Sequence, residues 1–388
     1  MFEEFWPPAV AALCAAVLMP LAIRSRWLGH DHDFSGVQKV HNVSTSRLGG
    51  FNVFVAYLAV LTIATRMQHD ALSPALPLLL CALPVVAVGM WEDIARGVHP
   101  WIRLTGAVAS GALASWLAVG IIARLDLPVL DDWLGYLPFA LPLTRFMVAG
   151  ACNAMNLIDG AHGLAGGVAL IMFGGLAAAA GIAGDAQVLA QALAVMGTIA
   201  GFLVWNYPRG KVFLGDAGAY FLGFMYAELA IQIVARNPGI SAWFVIALAA
   251  YPITETLYSI YRRKVLLRTA SMQPDAGHLH SLVYRKLVHQ GQRSREKEAV
   301  RRANSRVAPR LWLHAAICLA GALLLHNSTP ALIGFTALYA VFYVVCYRAL
   351  ARDQHDGPPT GPGRGVTKPV SHVARSVARS VPRSVARR

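Results

Sequence analysis

The sequence predicts an all-α polytopic membrane protein, and two observations support that prediction. Hydrophobic residues make up 56% of the 388-residue chain and charged residues only 14%, a balance that soluble globular domains rarely show. The apolar residues also gather into runs of roughly 20, the helix length that crosses a hydrocarbon core of about 30 Å. We therefore expect about eleven transmembrane helices.

The expected spans follow one another along most of the chain. They are Trp6 to Ile23, Leu48 to Thr65, Leu72 to Trp91, Leu104 to Ile122, Leu137 to Met155, Leu164 to Ile182, Ala186 to Trp205, Tyr220 to Ala235, Ile240 to Ile260, Leu311 to Leu325 and Ala331 to Cys346. No basic segment precedes the first run, so we expect a retained span and not a cleaved signal peptide. The fourth, sixth and seventh runs are rich in glycine and alanine, so these helices are expected to form a closely packed inner bundle.

The basic residues predict the orientation of the chain. If the connections after the odd-numbered spans and the C-terminal segment are cytoplasmic, they contain 30 of the 34 Lys and Arg residues, as the positive-inside rule requires. The N-terminus is then periplasmic and the C-terminus cytoplasmic. This topology accounts for the net charge of +14, so nucleic-acid binding is not expected.

The composition divides the chain into two parts. Residues 1–350 are expected to form the transmembrane domain, with one long basic cytoplasmic loop at 262–310. Residues 351–388 are rich in Gly, Pro, Ser, Val and Arg, which predicts a disordered tail. Its positive charge would attract it to anionic lipids of the membrane.

An acidic pair, Glu92 and Asp93, ends the third predicted span, and Arg96 and Arg103 follow it. Adjacent acids near basic residues suit a site for a divalent cation and phosphate oxygens, because hard cations take oxygen ligands. The alternative is a pair of solvated charges at a helix end.

A second cluster has the pattern N-x-x-N-x-x-D-G. The spacing places Asn153 and Asn156 on one helix face, and the Asp159-Gly160 pair ends the helix. Amides can donate to phosphate oxygens while the acid accepts hydrogen bonds. A capping role for Asp159 at the next helix is an equal alternative.

The third cluster, VFLGDAG, contains Phe213 and Asp216 immediately before a predicted span. Glycines beside an aspartate at a helix N-terminus leave room for a metal or a phosphate, although an N-cap aspartate explains the same pattern.

The fourth cluster, His278 and His280, would point both imidazoles the same way if its backbone is extended. These rings can donate to a diphosphate; zinc binding is less favoured, and a surface pair without a role stays open.

All four clusters fall on the predicted cytoplasmic side, and in this order they resemble the polyprenyl-phosphate N-acetylhexosamine-1-phosphate transferase family. Lys39, His41 and the pair Gly49-Gly50 are similar to the early basic and glycine-glycine segment of that family. The other matching stretches are GMWEDIARGVHPWIRL from Gly89, NAMNLIDGAHGLAGG from Asn153, NYPRGKVFLGDAGAYFLG from Asn206, PITETLYSIYRR from Pro252 and the segment from His278 to Leu287.

The resemblance implies an enzyme of the bacterial inner membrane with its active site on the cytoplasmic side. It would transfer an N-acetylhexosamine 1-phosphate from a UDP-sugar to undecaprenyl phosphate, releasing UMP and requiring Mg²⁺. The product would start a lipid-linked surface glycan such as O-antigen.

The resemblance also assigns roles to residues. Glu92, Asp93 and Asp216 would be the catalytic group, with Asp216 and Asp93 binding Mg²⁺. The implied substrate-binding residues are Lys39, His41, Asn153, Asn156, Asp159, His162, Phe213, Arg262, Arg263, His278 and His280. In this set Phe213 would stack on uracil, and the two last histidines would contact the diphosphate.

Three residues depart from the family pattern. Glu92 replaces the usual first aspartate of the acidic pair, His162 stands where an acid often reads uracil, and Ser281 stands where another histidine is frequent. The last difference favours an amino-sugar donor over the pentapeptide-bearing one. A secondary transporter and a non-catalytic homologue are the alternative functions, and a homodimer is left open.

Overall fold

The structure, a computed structural model, describes residues 2–24, 30–31, 45–72, 75–117, 120–267, 277–290 and 297–353, and most of these residues are helical. In chain order the helices are α1 (Phe2–Arg24), α2 (Gly49–Arg66), α3 (Ala75–Cys81), α4 (Leu83–Ala95), α5 (Pro100–Trp116), α6 (Pro128–Leu134), α7 (Leu137–Ile158), α8 (Leu164–Ala183), α9 (Ala186–Asn206), α10 (Gly215–Arg236), α11 (Ala242–Leu248), α12 (Ala250–Tyr261), α13 (Leu279–Gln290), α14 (Lys297–Ser305), α15 (Val307–Leu324) and α16 (Thr329–Asp353). A π-helical segment, Arg262–Leu267, extends α12. Two short strands, β1 (His30–Asp31) and β2 (Thr45–Ser46), pair antiparallel with His30 opposite Ser46. The predicted tail lies outside the described residues from 354 onward.

The prediction of an all-α polytopic membrane protein is confirmed. Within the described ranges, seven helices are long and apolar enough to cross a membrane, or up to ten if each of three bent helix pairs is one span. The fourth predicted span corresponds to α5, which has 17 residues, at the lower limit for a crossing. The count of eleven and the orientation stay predictions.

Proline accounts for two of the bends. Helices α3 and α4 meet at 44°, and Pro84 lies in the first turn of α4. Helices α11 and α12 meet at 72°, where Pro252 cannot donate a helical hydrogen bond and its ring would clash with the Leu248 carbonyl. The predicted span from Ile240 to Ile260 is therefore a broken helix.

Helix α10 is the centre of the bundle, which corrects the expected inner bundle. Of its apolar stretch 94% is buried, against 67% for α8 and 56% for α9, the helices of the sixth and seventh predicted spans. Glycine and alanine content therefore did not identify the most buried helix. Helix α10, the eighth predicted span, is packed on several sides because its small residues lie where the backbones of other helices cross it.

Three of these crossings bring the polar clusters together. A Cβ atom added to Gly50 of α2 would lie 2.1 Å from the Cα of Gly218. The same test places Gly89 of α4 at 2.5 Å from Ala217, and Gly223 of α10 at 2.5 Å from Cys152 of α7. Such approaches are possible only without a side chain. They fix α2, α4 and α7 against α10, and these helices carry or flank the predicted site residues.

Candidate active site

Asp93 is fully buried near the end of α4, and its carboxylate accepts hydrogen bonds from the beginning of α10. The N–H of Asp216 donates to Oδ1 at 2.9 Å, and the N–H of Ala217 donates to Oδ2 at 3.0 Å. Both N–H groups belong to a helical first turn that lacks intrahelical partners, where a negative charge is also stabilising. Asp93 therefore holds the turn that carries Asp216.

The carboxylate of Asp216 lies between two guanidinium groups. Its Oδ1 is 3.3 Å from a terminal nitrogen of Arg47, and its Oδ2 is 2.9 Å from a terminal nitrogen of Arg103. Arg47 also reaches Asp93, with 3.5 Å between Nε and Oδ1. The result is a balanced cluster of two acids and two permanent cations, and its guanidinium groups are suited to phosphate oxygens.

Backbone pairing brings Arg47 to this cluster. Ser46 forms a parallel bridge with Val212, and its carbonyl accepts from the N–H of Phe213 at 2.8 Å. Farther along, the N–H of Gly50 donates to the carbonyl of Leu214 at 2.8 Å. The segment before α2 thus runs alongside the segment before α10.

Asp159 supplies a third carboxylate at the end of α7. Burial raises the pKa of its carboxyl to about 7; Arg47 acts against this change and Asp216 adds to it. The backbone amide of Gly215 also acts to lower this pKa. The three predicted acids Asp93, Asp159 and Asp216 are therefore brought into one electrostatic environment.

Glu92 lies beside this group with a different set of contacts. Its Oε2 accepts from the N–H of Gly97 at 3.2 Å and of Val98 at 2.7 Å, which closes the connection between α4 and α5. It also borders the cavity described below, near Arg103. Its catalytic assignment stays a prediction.

His162 and Phe213 form a stacked pair. Their ring centroids are 5.8 Å apart and their planes differ by 29°. The loop that carries His162 is fastened by Asn206, whose Oδ1 accepts from the N–H of Gly163 at 2.6 Å and whose Nδ2 donates to the carbonyl of Val212 at 2.7 Å. The N–H of His162 donates to Oδ1 of Asn304 at 3.0 Å.

His278 and His280 lie at the start of α13 and not on an extended strand, which corrects that expectation. Leu279 is the first residue of the helix. The two imidazoles nevertheless stack, with centroids 5.5 Å apart and an angle of 10° between planes. Gly160 leaves room for the His280 ring, because an added Cβ would lie 2.0 Å from its Nε2.

A buried carboxylate, Glu255 of α12, orients the first of these histidines. Its Oε1 is 3.2 Å from Nδ1 of His278 and accepts from the N–H of Leu279 at 3.3 Å. Its Oε2 accepts from the hydroxyl of Tyr343 at 2.6 Å. A carboxylate at Nδ1 favours a proton on that nitrogen, which leaves Nε2 of His278 for other partners.

The two predicted arginines at the end of α12 differ in position. Arg263 borders the cavity, whereas Arg262 does not. Arg262 is fully buried and donates to the carbonyl of Gly277 and to the hydroxyl of Tyr347. Arg262 therefore joins the residue that precedes His278 to α16 and does not face the cavity.

A cavity of 1410 Å³ connects the polar groups to the interior of the bundle. Its polar end is bordered by nearly all the predicted site residues that the structure describes: Glu92, Asn153, Asn156, Asp159, His162, Phe213, Asp216, Arg263, His278 and His280. Asp93 does not border it, so this geometry does not favour its predicted role as a direct metal ligand. Lys39 and His41 lie outside the described residues.

The remainder of the cavity is mainly apolar, with Arg145 of α7 also on its wall, and it follows α7, α10 and the bent pair α11–α12. Its walls include Phe146, Met147, Ile246, Ile253 and Leu257, and its far end reaches Arg124. Arg124 binds the carbonyl of Val234 in the last turn of α10 and that of Ile240 just after the helix. The cavity therefore extends along most of the length of the central helix.

Sequence reasoning omitted four residues of this site from its assignments. Arg47 precedes the recognised Gly49-Gly50 segment, Arg103 was noted only as a charge near the acidic pair, and Glu255 lies within a matched stretch. Asn304 had no local signal, since it reaches the site only through packing of α14.

A helical membrane protein that gathers acids, arginines and imidazoles at one end of an apolar cavity has the parts of an enzyme acting on phosphate groups beside a lipid. The family model described as glycosyl transferase family 4 matches residues 75–234, and the chain belongs to that family.

Named relatives agree with this membership. The chain is 27% identical over 279 residues to "Probable undecaprenyl-phosphate N-acetylglucosaminyl 1-phosphate transferase" of Bacillus subtilis, covering 70% of this chain and 74% of the relative. It is 31% identical over 237 residues to the phospho-N-acetylmuramoyl-pentapeptide-transferase of Geobacillus kaustophilus, covering 58% and 73%. The enzyme of the same name from Lactiplantibacillus plantarum is 30% identical over 202 residues, covering 49% of this chain and 61% of that enzyme.

Proposed function

We propose that this protein transfers an N-acetylhexosamine 1-phosphate from a UDP-sugar to undecaprenyl phosphate and releases UMP, as the first step of a lipid-linked surface glycan such as O-antigen. The observation that carries the proposal is that one cavity continues from the Arg47–Asp216–Arg103 cluster into a mainly apolar part. The polar end of the cavity suits two phosphate-bearing substrates, and its apolar part suits an isoprenoid chain.

The reaction needs little covalent chemistry from the protein. An oxygen of the lipid phosphate attacks the phosphorus that carries the sugar, and the bond from this phosphorus to the oxygen of the nucleoside phosphate breaks, so that UMP leaves. The anomeric carbon keeps its bonds. A phosphate monoester has a second pKa of about 6, so the acceptor is already largely dianionic near neutrality and requires no strong base.

Catalysis then depends on positioning and charge neutralisation. When the substrates enter, the guanidinium groups of Arg47 and Arg103 can leave the carboxylate of Asp216 and bind phosphate oxygens. Asn153 and Asn156 border the same wall of the cavity and supply amide donors. His278 and His280 face it from α13, where Glu255 keeps the His278 ring in one orientation.

The acidic residues fit a magnesium ion. Among the described residues, no group of three His, Cys, Asp or Glu side chains is arranged to hold a metal alone, but Mg²⁺ commonly takes one or two carboxylates together with substrate phosphates. We assign Asp216 and Asp159 as the ligands, because both border the cavity, and Asp93 as the anchor of Asp216. Bound there, Mg²⁺ would neutralise charge on the diphosphate.

We propose that the reaction takes place on the cytoplasmic side of the inner membrane, and the distribution of basic residues supports this. The arginine-rich connections predicted to be cytoplasmic include the segment of Arg47, and the cluster lies beside it. An amino-sugar donor is favoured over a pentapeptide-bearing donor because Ser281 follows His280.

The test uses the purified full-length protein in nanodiscs with undecaprenyl phosphate and a panel of UDP-amino sugars. We expect UMP release and a lipid product heavier by one N-acetylhexosamine phosphate, both stopped by EDTA and restored by Mg²⁺. Asp216→Asn should abolish turnover, whereas Asp132→Asn, at an exposed carboxylate of α6, should not. Turnover by Asp216→Asn would refute the metal assignment. In sealed proteoliposomes, sugar flux without UMP release would favour a transporter.

A further inference from the structure

Asn304 is a buried amide at the edge of the cavity, beside the stacked pair of His162 and Phe213. Only 3% of the residue is exposed, and it borders the cavity together with both rings. It comes from α14, in the basic region that follows the rest of the site along the chain. An amide buried in this position requires a partner for each of its polar atoms.

The contact to His162 fixes which way the amide points. Because the backbone N–H of His162 is a donor, the atom that it meets at 3.0 Å must be Oδ1 of Asn304. The Nδ2 group therefore occupies the other branch of the side chain, and it makes no hydrogen bond to any residue described in the structure. The neighbouring amide of Asn206 differs, since both of its polar atoms are bonded to backbone groups.

We propose that Asn304 reads the nucleobase of the donor, with its Nδ2 group donating to the C4 carbonyl oxygen of uracil beside Phe213. This inference rests on the proposed function, which supplies the uridine nucleotide. A carboxylate accepts hydrogen bonds through two oxygens, whereas a neutral imidazole accepts through one ring nitrogen. The ring of His162 is also stacked on Phe213, so His162 is a poor substitute for the acid that often reads uracil. The amide donor of Asn304, which belongs to α14, would instead recognise the base from outside the loop that carries His162.

The chemistry predicts discrimination between pyrimidines. Uracil presents a carbonyl oxygen at C4, where cytosine presents an amino group, so the amide donor matches uracil and opposes cytosine. An unmatched buried donor loses its hydrogen bond to water without replacement. The loss of one such contact corresponds to about a tenfold change in affinity.

The experiment measures UMP and CMP binding to the full-length protein in nanodiscs by calorimetry. Asn304→Asp is the informative variant, because one carboxylate oxygen retains the contact to the N–H of His162 while the other replaces the donor by an acceptor. We expect UMP to bind about tenfold more weakly and CMP to bind no less tightly than to the wild type. Ser305→Ala is the control, since among the described residues that hydroxyl bonds only to the carbonyl of Arg302.

Two results would overturn the inference. One is an Asn304→Asp variant with unchanged preference for UMP over CMP; the other is an equal loss of both nucleotides, which would indicate a structural role for Asn304. If the wild-type protein bound neither nucleotide, the proposed transferase function would fail as well, so the two failures are distinguishable.

Discussion

The carboxylate of Asp93 accepts hydrogen bonds from two successive N–H groups, those of Asp216 and Ala217. One acid thus holds in place the helix that presents another acid to the cavity. The pair also shares Arg47, which contacts both carboxylates. The two aspartates have different accessibility to a ligand, because Asp216 borders the cavity and Asp93 does not.

We expect Asp93→Asn to impair the protein through structure. An amide has one acceptor atom, so its NH₂ group would face one of the two N–H donors, and a buried donor without a partner costs about 1–3 kcal/mol. The thermal midpoint should fall and transferase activity should be low. Asp216→Asn should abolish activity with a smaller loss of stability, and equal midpoints for the two variants would contradict this division of roles.

Arg47→Lys should reduce activity although the charge is kept. Arg47 contacts Asp93 through Nε and Asp216 through a terminal nitrogen, and the single ammonium of lysine cannot reproduce this fork. We expect kcat/KM to fall at least tenfold, equivalent to about 1.4 kcal/mol. Arg66→Lys, at the opposite end of α2, is the matched control. Normal kinetics for Arg47→Lys would show that its two contacts are not needed.

The sequence predicted the parts of this site that are local in the chain. The acids of the WEDIARG and VFLGDAG segments, the N-x-x-N-x-x-D pattern and the histidine pair were recognisable because each forms a short motif beside an apolar run. Their convergence at one cavity agrees with the prediction that they share a side of the membrane.

The rest depended on packing between distant segments. Arg47 joins the acids through pairing with the segment before α10, and Asn304 reaches His162 across 142 positions of the chain. Hydrophobicity identified membrane spans but not the break at Ala249 between α11 and α12, because the apolar run continues through the break and only Pro252 marks it in the sequence. Small-residue content likewise did not identify α10 as the central helix.

Glu255→Gln should lower turnover by disturbing His278. The glutamine keeps one acceptor but cannot serve the imidazole, the N–H of Leu279 and the hydroxyl of Tyr343 together. Loss of such an orienting group commonly reduces activity by about 10- to 100-fold. Steady-state kinetics should show a fall in kcat, with a smaller fall for Tyr343→Phe. Tyr261→Phe, at an exposed position, is the control, and an unaltered kcat for Glu255→Gln would refute an orienting role.

Asp126 should make the stability of the protein dependent on pH at the other end of the bundle. Burial acts to raise the pKa of its carboxyl, but hydrogen bonds from the N–H of Ala242 and the hydroxyl of Ser241, together with Arg124, lower it below its usual value. A lowered folded-state pKa contributes stability that is present above the unfolded value, about 3.9, and is lost as the pH falls through the folded value. Thermal midpoints of the wild type and Asp126→Asn should therefore differ at pH 7 and converge as the pH falls below about 4. A constant difference would exclude this contribution.

Gly50→Ala should destabilise the protein and inactivate it together, because this glycine sets the distance between α2 and α10. The new methyl group would lie 2.1 Å from the Cα of Gly218 and 2.4 Å from the carbonyl oxygen of Leu214, and neither backbone atom can move without shifting a helix. Overpacking of this kind costs about 1–3 kcal/mol. The displacement would also separate Arg47, three residues before Gly50, from Asp216.

The control for this variant is Gly181→Ala in α8, where an added Cβ meets nothing within 4 Å and where alanine is the better helix former by about 1 kcal/mol. Thermal midpoints and UMP release should both fall for Gly50→Ala, whereas Gly181→Ala should keep UMP release and should not lower the midpoint. If Gly50→Ala retained both, the close approach of α2 to α10 would not be what positions Arg47 at the carboxylates, and the backbone pairing between Ser46 and Phe213 would have to hold it unaided.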